Sequence, residues 1–419
     1  MENKKVSFKI MFPLYLIFFS LLLFSTRDYS QVQSSPINIS NINRIIGILL
    51  AFAFVFIFFL KNLKIRKLSF LFILYFNYIL VSFISIILFS NNFLYSFWKL
   101  FEILVVFLIG VYFWSLSFYF EKMAYILYNS FLMFFKLLLI SVVLSIVFFP
   151  SMALESASSI GSALISFRVN GVFPVINAIS VGTISSIVFF DSFINYIFKL
   201  NSKKKNLFWM ILSFILLITS QSRTSLLGLF AALFLVFLLS KKIKLLWKIF
   251  ALIFVLIIAI IFNNIIVELF VRGNNENTLI TISGRTYWWN YIWNKILNDN
   301  IWHQLFGYGY ASGVRELALI PSNGLMQTFD STYFSSLAAT GFIGTFLIFI
   351  IFVYLILSSL KKLNKGLDKM MYISNIKVLG ITIILFIKSF TTDTINVLTF
   401  YLPFLFCIVI LGKYKNEEF

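Results

Sequence analysis

The chain has 419 residues, of which 61% are hydrophobic and 12% are charged, and its formal net charge is +19. Soluble domains average roughly 45–50% apolar residues, so a water-soluble fold could not bury this many apolar side chains. The composition therefore predicts an all-α integral membrane protein. The single cysteine, Cys407, and the single histidine, His303, exclude a disulfide framework and any metal centre built from several such residues.

Windows of about 20 apolar residues predict about twelve transmembrane helices. In chain order they cover residues 7–25, 43–60, 69–90, 100–119, 124–149, 174–199, 207–221, 224–240, 245–266, 332–359, 376–390 and 398–412. The first segment begins like a signal peptide, with Lys4 and Lys5 before an apolar run. It lacks a small-residue cleavage site, so we expect it to remain as a helix. Residues 1–419 are therefore predicted to form a single polytopic membrane domain.

Lysine is concentrated in loops that alternate along the predicted spans. If the N-terminus lies inside the cell, the following lysines all face the cytoplasm: Lys61, Lys64, Lys67, Lys122, Lys203, Lys204, Lys205, Lys241, Lys242, Lys244, Lys361, Lys362, Lys365, Lys369, Lys413 and Lys415. The positive-inside rule then predicts a multi-pass protein of the cytoplasmic (inner) membrane with both termini cytoplasmic. This topology accounts for the net charge, and no nucleic-acid partner is predicted.

Two segments on the opposite side are too long to be simple turns. They are the predicted external, periplasmic-side loops 150–173 and 267–331. Loops beyond about 15 residues without a predicted element are usually functional. We therefore expect these two loops to form the active-site region.

Arginine is distributed differently from lysine. Only Arg66 falls in a predicted cytoplasmic loop, whereas seven arginines lie outside or at the outer boundary: Arg27, Arg44, Arg168, Arg223, Arg272, Arg285 and Arg315. The planar guanidinium suits phosphate and carboxylate oxygens, so this bias predicts an anionic ligand such as pyrophosphate. Alternatively, Arg272 and Arg315 pair with carboxylates of the loop. Arg223 lies between two apolar runs, where it either serves a functional site or extends its charge to the interface.

The second external loop contains an aromatic, amphipathic segment from Arg285 to Leu297. Trp289, Trp293 and Ile296 with Leu297 have the spacing of one helical face. One interpretation is a helix that rests on the lipid headgroups, anchored by tryptophan. The other is a platform on which sugar rings stack, and the two can hold together.

Four segments, in order between residues 168 and 345, resemble elements of the O-antigen ligase/polymerase superfamily. They are Arg168-Val-Asn-Gly171-Val-Phe173-Pro174-Val-Ile-Asn177-Ala-Ile-Ser-Val-Gly182, then Ser222-Arg223-Thr224, then Ser283-Gly284-Arg285 with Trp288 and Gly307-Tyr-Gly309, then Asp330-Ser-Thr-Tyr333 with Leu337-Ala-Ala-Thr340-Gly341-Phe-Ile-Gly344. The resemblance implies a metal-independent membrane glycosyltransferase of the GT-C type, without cofactors, whose substrate is an undecaprenyl-pyrophosphate-linked oligosaccharide. It also implies membrane lipids, a flippase and a Wzz-type chain-length regulator as partners.

The family includes Wzy-type polymerases of O-antigen, capsule or exopolysaccharide repeat units, and ligases that transfer polymer to a lipid A core. The sequence departs from the ligases at two positions. Asp330 stands where the ligases have a histidine, and Ala339 replaces the acidic residue before Thr340-Gly341. Both departures favour the polymerase. A flippase-type transporter is the alternative from another class, although few charges lie within the spans, namely Lys136, Asp191 and Lys388.

The required chemistry assigns roles to the candidate residues. Arg223 and Arg285 are expected to neutralise the pyrophosphate, with Arg168 and Arg315 as auxiliaries. Asp330 is expected to orient or deprotonate the acceptor hydroxyl, although an aspartate before an apolar run is also typical of a helix N-cap. Three further residues are candidates for substrate binding: Asn177, Tyr333 and Trp289.

The topology can be tested with engineered cysteines and a membrane-impermeant thiol reagent. Because the lysine-rich loops are predicted to be cytoplasmic, Lys203→Cys should label only after the cells are permeabilised, and Glu276→Cys should label in intact cells. Labelling of Lys203→Cys in intact cells would reverse the assignment.

Overall fold

The computed structural model describes residues 8–22, 39–61, 67–120, 122–156, 167–200, 202–239, 285–320, 328–363 and 369–413. In chain order the elements are α1 (Phe8–Leu21), α2 (Ile39–Lys61), α3 (Phe70–Phe89), α4 (Phe93–Leu116), α5 (Met123–Phe148), α6 (Pro150–Ala153), β1 (Leu154–Ser156), β2 (Phe167–Val169), α7 (Ala178–Ile197), α8 (Lys203–Thr219), α9 (Arg223–Leu239), α10 (Arg285–Leu297), α11 (Ile301–Phe306), α12 (Ser312–Leu319), α13 (Thr332–Leu363), α14 (Lys369–Ser389) and α15 (Tyr401–Leu411).

Eleven of the twelve predicted spans correspond to helices, and the twelfth, 245–266, lies outside the described residues. Among the described helices, seven are long and apolar enough to cross a membrane, and α1, α9 and α15 are shorter apolar helices. The protein is thus an all-α integral membrane protein. The predicted span 376–390 was too short, because α14 begins earlier and includes polar residues that the apolar window excluded.

A buried ion pair accommodates the charge of Lys377 in α14. Lys377 Nζ on α14 lies 2.7 Å from Asp191 Oδ1 on α7 and donates to Asn195 Oδ1 at 2.8 Å. Tyr128 donates to the same Asp191 oxygen at 2.8 Å. Charges in a membrane interior require such partners. Asp191, predicted as a charge within a span, is therefore neutralised by Lys377, which lies within the predicted span 376–390.

The ends of the membrane helices form two distinct sides. At one side, here called the lysine end, Lys362 donates to the carbonyl of Gly412 at 2.6 Å, and Lys413 lies over the ring of Trp114. The opposite side, here called the loop end, carries the β1–β2 hairpin and helices α10 to α12. The segregation matches the pattern from which the topology was predicted.

Helices α7, α14 and α15 lie at the centre of the bundle. Every residue of α15 is buried, and α7 packs against α8, α9 and α14. In contrast, α2 exposes much of its apolar surface, as lipid-facing helices do. The aromatic side chains of Phe72 on α3 and Phe406 on α15 stack with a centroid distance of 5.2 Å.

The loop end contains regular structure. β1 and β2 pair antiparallel, with Glu155 opposite Arg168, within the segment predicted as the loop 150–173. Helices α10 to α12 occupy the described part of the loop 267–331. On α10 the buried side chains are Ile292 and Ile296, whereas Trp293 is 44% exposed. Both tryptophans contact α13, Trp289 through Phe334 and Trp293 through Phe342. The buried positions are nevertheless Ile292 and Ile296, so the buried face is rotated relative to the predicted one.

Two glycines allow the loop-end helices to approach α13 closely. α13 is kinked at Gly341, which has a φ of 63°. A Cβ there would lie 2.5 Å from the backbone of Leu305, and a Cβ on Gly307, whose φ is 76°, would lie 2.6 Å from the backbone of Ala339. The amide of Tyr308 donates to the carbonyl of Ala338 at 2.8 Å across this contact. Only glycine has both the space and the backbone freedom required.

Gly307→Ala should therefore destabilise the protein. The left-handed backbone alone costs a residue with a Cβ roughly 1–2 kcal/mol, and the contact with α13 must also open. The measurement is the thermal unfolding temperature in detergent. Gly412→Ala is the matched control, because its Cβ would meet other atoms only at 3.6 Å. Equal unfolding temperatures for the two variants would contradict the role given to Gly307.

Candidate functional site

A tight turn places Arg223 at the start of a membrane helix. α8 ends at Thr219, and Gln221 has a left-handed φ of 51°, so that α9 begins at once with Arg223. The turn lies directly on α7, where a Cβ on Gly182 would collide with the side chain of Ser222. This contact explains why a glycine occupies position 182.

Arg168 is held to the same turn by the hairpin. Its Nε donates to the carbonyl of Ser220 at 3.2 Å, and the side chain of Gln221 donates back to the carbonyl of Phe167 at 3.0 Å. Two segments that are 52 residues apart in sequence are thereby joined at the loop end. The Ser222-Arg223-Thr224 turn and the Arg168 segment form one structural unit.

Arg285 and Asp330 form an ion pair at the same location. The distance between Arg285 Nη2 and Asp330 Oδ2 is 3.3 Å, and both side chains are half-buried. Asp330 does not cap α13: its φ is 48°, and Ser331, the residue directly before the helix, accepts from the amide of Phe334 at 3.5 Å. The N-cap interpretation of Asp330 was therefore wrong, since the next residue takes that position.

Lys388 is a further cation of the site. The sequence analysis predicted it only as a charge within a transmembrane span. It lies in the last turn of α14 and is 1% exposed. Its Nζ donates to the hydroxyls of Ser222 at 3.3 Å and Thr224 at 3.1 Å. Lys388 therefore lies at the loop end beside Arg223, rather than near the middle of the bundle. No motif identified it.

Four cations thus converge from four segments, and we call Arg168, Arg223, Arg285 and Lys388 the cationic cluster. The charges of Arg168 and Arg285 both act on Arg223 and on Lys388. Burial lowers the pKa of the Arg168 guanidinium, Glu155 raises it and Arg285 lowers it. An arginine retains its charge despite such shifts. The cluster is a region of concentrated positive charge at the boundary of the membrane helices, as an anion-binding site requires.

A cavity of about 480 Å³ lies beside Arg168. Its polar lining consists of Glu155, Arg168, Asn170 and Asn177. Asn177 also caps α7, since its side chain accepts from the amide of Ser180 at 2.8 Å. The volume falls within the range of small-molecule sites, about 300–1,000 Å³. Asn177 can therefore line a ligand site while it also fixes the start of a helix.

The aromatic candidates are largely engaged in packing. Trp289 stacks on Phe334 with a centroid distance of 4.9 Å and donates to the carbonyl of Phe329 at 2.9 Å. Tyr333 contacts the ring of Phe390, and its hydroxyl accepts from Ser389 at 2.9 Å. Both residues border the Asp330 segment, so they hold its position.

Arg315 lies in a different group. Arg315 lies beside Tyr95 of α4. The charges that act on Arg168, Arg223 and Lys388 come from other residues. The neighbouring Glu102 is buried and pairs with Arg44 at 2.6 Å and with Lys99 at 3.3 Å. The structure therefore separates Arg315 from the other predicted site arginines. Arg27 and Arg272 lie outside the described residues.

The segment between α14 and α15 was not predicted to form part of the site. In the structure, hydrogen bonds hold it against Thr332, two residues after Asp330. The Thr332 hydroxyl donates to the carbonyl of Thr392 at 2.9 Å and accepts from the amide of Thr394 at 2.9 Å. This segment carries Asp393, whose carboxylate accepts from the amide of Asn396 at 2.8 Å. The mostly polar residues from Ser389 to Thr394 were the feature of the sequence that could have indicated this part of the site.

Within the described ranges, no three carboxylate, cysteine or histidine side chains are grouped so that they could hold a metal ion. His303 packs between Phe89 and Tyr308, and its Nδ1 lies 2.9 Å from the carbonyl oxygen of Gly307. The histidine is thus part of the glycine contact with α13.

Comparison with known proteins gives one family. No curated protein matches the chain. The family described as O-antigen ligase matches residues 208–349. The matched range contains Arg223, Arg285 and Asp330, whereas Arg168, Lys388 and Asp393 lie outside it. On this match, residues 208–349 are similar to the O-antigen ligase family.

Proposed function

We propose that the protein is a Wzy-type polymerase, which joins undecaprenyl-pyrophosphate-linked oligosaccharide repeat units into a surface polysaccharide on the outer side of the cytoplasmic membrane. The match of residues 208–349 to the O-antigen ligase family supports a role in surface polysaccharide assembly. The observation that carries the proposal is the cationic cluster, which contacts Asp330 through Arg285. A pyrophosphate leaving group and an attacking hydroxyl need these two kinds of group together.

The reaction is a displacement at the anomeric carbon. The acceptor hydroxyl attacks that carbon, the new glycosidic C–O bond forms, and the C–O bond to the lipid pyrophosphate breaks with its electron pair on the leaving group. The pyrophosphate needs no protonation, because guanidinium and ammonium groups fixed in place stabilise its developing charge. Arg223 and Arg285 supply this charge, and Arg168 and Lys388 extend it.

Asp330 orients the acceptor hydroxyl or takes its proton. The Asp330 side chain is 29% exposed, so a substrate can reach it. Its second carboxylate oxygen accepts a long hydrogen bond of 3.4 Å from the hydroxyl of Thr328. The ion pair with Arg285 fixes the carboxylate next to the leaving-group site. Attack from the side opposite the pyrophosphate gives inversion at the anomeric carbon.

The sugar and the lipid occupy different surroundings in this proposal. The cavity beside Arg168 offers amide and carboxylate groups that suit sugar hydroxyls. The polyprenyl chain leaves the cluster along the membrane helices, where α9 exposes Leu227 and Phe230. Arg168 lies between the two regions, and it is therefore placed to contact the phosphate next to the first sugar.

The positions that depart from the ligases favour a polymerase. Ala339 is buried against Gly307, and its carbonyl accepts from Ser85 at 2.6 Å. This position therefore serves packing here and offers no carboxylate to a substrate. Asp330 replaces the ligase histidine and pairs with Arg285, so the chemistry of the site rests on a carboxylate.

The test is elongation by the purified protein in detergent. Lipid-linked repeat units extracted from the native cells should yield a ladder of longer products. Transfer to a lipid A core without a ladder would show a ligase instead. Movement of the same substrate across vesicles without any new glycosidic bond would show a transporter.

Arg223→Lys distinguishes the guanidinium fork from a simple positive charge. If Arg223 binds two phosphate oxygens, lysine keeps the charge and loses the geometry. We expect a loss of elongation rate on the order of 10²–10³, with unchanged thermal stability. Arg223→Ala should lose more, because the charge disappears as well. The measurement is the elongation rate at matched protein concentration.

Arg315→Lys is the matched control, because it makes the same substitution in an arginine that lies outside the cationic cluster. It should retain a rate within a few-fold of the wild type. A wild-type rate for Arg223→Lys would show that Arg223 only extends its charge to the interface, and the main role would pass to Arg285.

Elongation should also persist in excess EDTA, since the cationic cluster supplies the charge that a divalent cation supplies in many other transferases. The expected result is an unchanged ladder after chelation. Complete loss of the ladder, with recovery on addition of Mg²⁺ or Mn²⁺, would contradict this part of the proposal.

A further inference from the structure

A second cavity lies at the lysine end, at the opposite end of α14 from Lys388 and the cationic cluster. Its volume is about 260 Å³. It lies where α5 and α14 begin and where α15 ends, since Lys122, Met370 and Leu411 all line it. We call it the lysine-end cavity. The proposed reaction takes place at the other end of the bundle, so the ligand of this cavity follows from its own lining.

The lining combines polar and apolar side chains. The polar ones are Lys122, Tyr125, Tyr128, Ser374 and Lys377, and the apolar ones are Leu200, Met370, Ile373 and Leu411. Lys122 and Tyr125 are exposed and lie at the mouth of the cavity. Tyr128 and Lys377 are buried and lie at its inner end. Such a lining suits an amphipathic ligand whose polar group enters the cavity.

Lys377 is fixed at the inner end by its partners. Its Nζ lies 2.7 Å from Asp191 Oδ1, 2.8 Å from Asn195 Oδ1 and 5.2 Å from the centroid of the Tyr128 ring. An ammonium has three N–H donors, and these two oxygens account for two of them within the described residues. The third donor can therefore reach a ligand oxygen in the cavity, while Asp191 keeps the buried ammonium charged.

The surroundings of the cavity carry an excess of positive charge. Asp191 balances Lys377, whereas Lys122 adds a further charge at the mouth. Lys136 is also near, since the charges of Asp191 and Lys377 act on it. Lys122 stands at the start of α5, where the helix dipole adds partial positive charge. Among the described residues that line the cavity, none is acidic, so the lining favours an anion.

The position of the cavity favours a ligand that is held in the membrane. Helices α5 and α14 are long and apolar enough to cross a membrane, and the cavity lies where both of them begin. Tyr125, at the mouth, is 40% exposed, and tyrosine is enriched at the level of the lipid headgroups. The volume is below the roughly 300–1,000 Å³ of sites that enclose a whole small molecule. It suits a headgroup whose acyl chains stay in the membrane.

We propose that the lysine-end cavity binds the phosphate headgroup of an anionic glycerophospholipid from the leaflet at the lysine end. Lys122 and Lys377 bind the phosphate oxygens. The hydroxyl of Ser374 donates to the headgroup, and the side chain of Met370 contacts the glycerol. On the predicted topology this leaflet is the cytoplasmic one, whose anionic lipids occupy basic pockets between transmembrane helices. The bound lipid joins the starts of α5 and α14, and α14 carries Lys388 of the cationic cluster near its other end.

The test is thermal unfolding of the purified, full-length protein in a neutral detergent, with lipid added in mixed micelles. Phosphatidylglycerol should raise the unfolding temperature by about 2–5 °C, because a ligand that binds only the folded chain stabilises it. Phosphatidylcholine, which has no net charge, should raise it by less than half as much, and inorganic phosphate should leave it unchanged. The proposal fails if phosphatidylglycerol gives no shift, if phosphatidylcholine gives an equal one, or if inorganic phosphate does, since the ligand would then be a soluble anion.

Lys122→Gln removes the charge at the mouth of the cavity, and the fold tolerates it because Lys122 is exposed. The phosphatidylglycerol concentration that gives half of the shift should rise about tenfold, as expected for the loss of one charge-assisted hydrogen bond. Lys204→Gln is the matched control, since Lys204 is an exposed lysine in the first turn of α8 that does not line the cavity. Equal effects of the two variants would show a general attraction of the lysine end for anionic lipid, and not a site.

Ser374→Phe fills the cavity without a change of charge, because Ser374 is half-buried in its wall. This variant should lose the shift with phosphatidylglycerol. The full shift in the folded variant would place the lipid elsewhere and overturn the proposal. If Ser374→Phe does not fold, Lys122→Gln decides alone, and a wild-type concentration dependence for it overturns the proposal. None of these measurements uses elongation, so their outcome is independent of the proposed function.

Discussion

Mutual repulsion among Arg168, Arg223, Arg285 and Lys388 is the constraint around which the loop end is built. Two unit charges 4 Å apart repel by about 4 kcal/mol at an effective dielectric constant of 20. The fold offsets this cost with specific contacts: the Ser220 carbonyl for Arg168, the Ser222 and Thr224 hydroxyls for Lys388, and Asp330 for Arg285. An anion bound at the cluster would relieve the remaining repulsion, so part of its binding free energy would come from charges that the fold already holds together.

The four cations come from a hairpin, a turn, a loop-end helix and the end of a membrane helix. Their convergence depends on close backbone approach at glycines. Gly182 lets the turn before α9 lie on α7, and Gly307 and Gly341 let α11 lie on α13. Each of these glycines permits a close contact between two segments. The four cations are far apart in the sequence. Loss of any of these contacts would therefore allow them to separate.

Much of this arrangement could be predicted from the sequence. The apolar runs predicted where the membrane helices lie, because a backbone in lipid must form its hydrogen bonds within its own helix. The contrast between arginine and lysine identified Arg168, Arg223 and Arg285, because topology alone would deplete both residue types on one side. Lys388 and Asp393 were missed, because a lysine at the end of an apolar run and an aspartate in a polar turn are common features of any membrane protein. Their significance arises only from tertiary contacts with segments more than 50 residues away.

The position of the cationic cluster at the loop end has a consequence for the permeability of the membrane. Polar groups that continued from the cluster to the lysine end would offer a path to ions. They do not continue along α15, whose residues from Tyr401 to Leu411 are buried and, apart from the first, apolar. Further inward, Lys377 and Asp191 neutralise each other, so neither presents a net charge to a permeating ion. The protein can thus keep a charged site at the loop end while these helices separate that site from the lysine end.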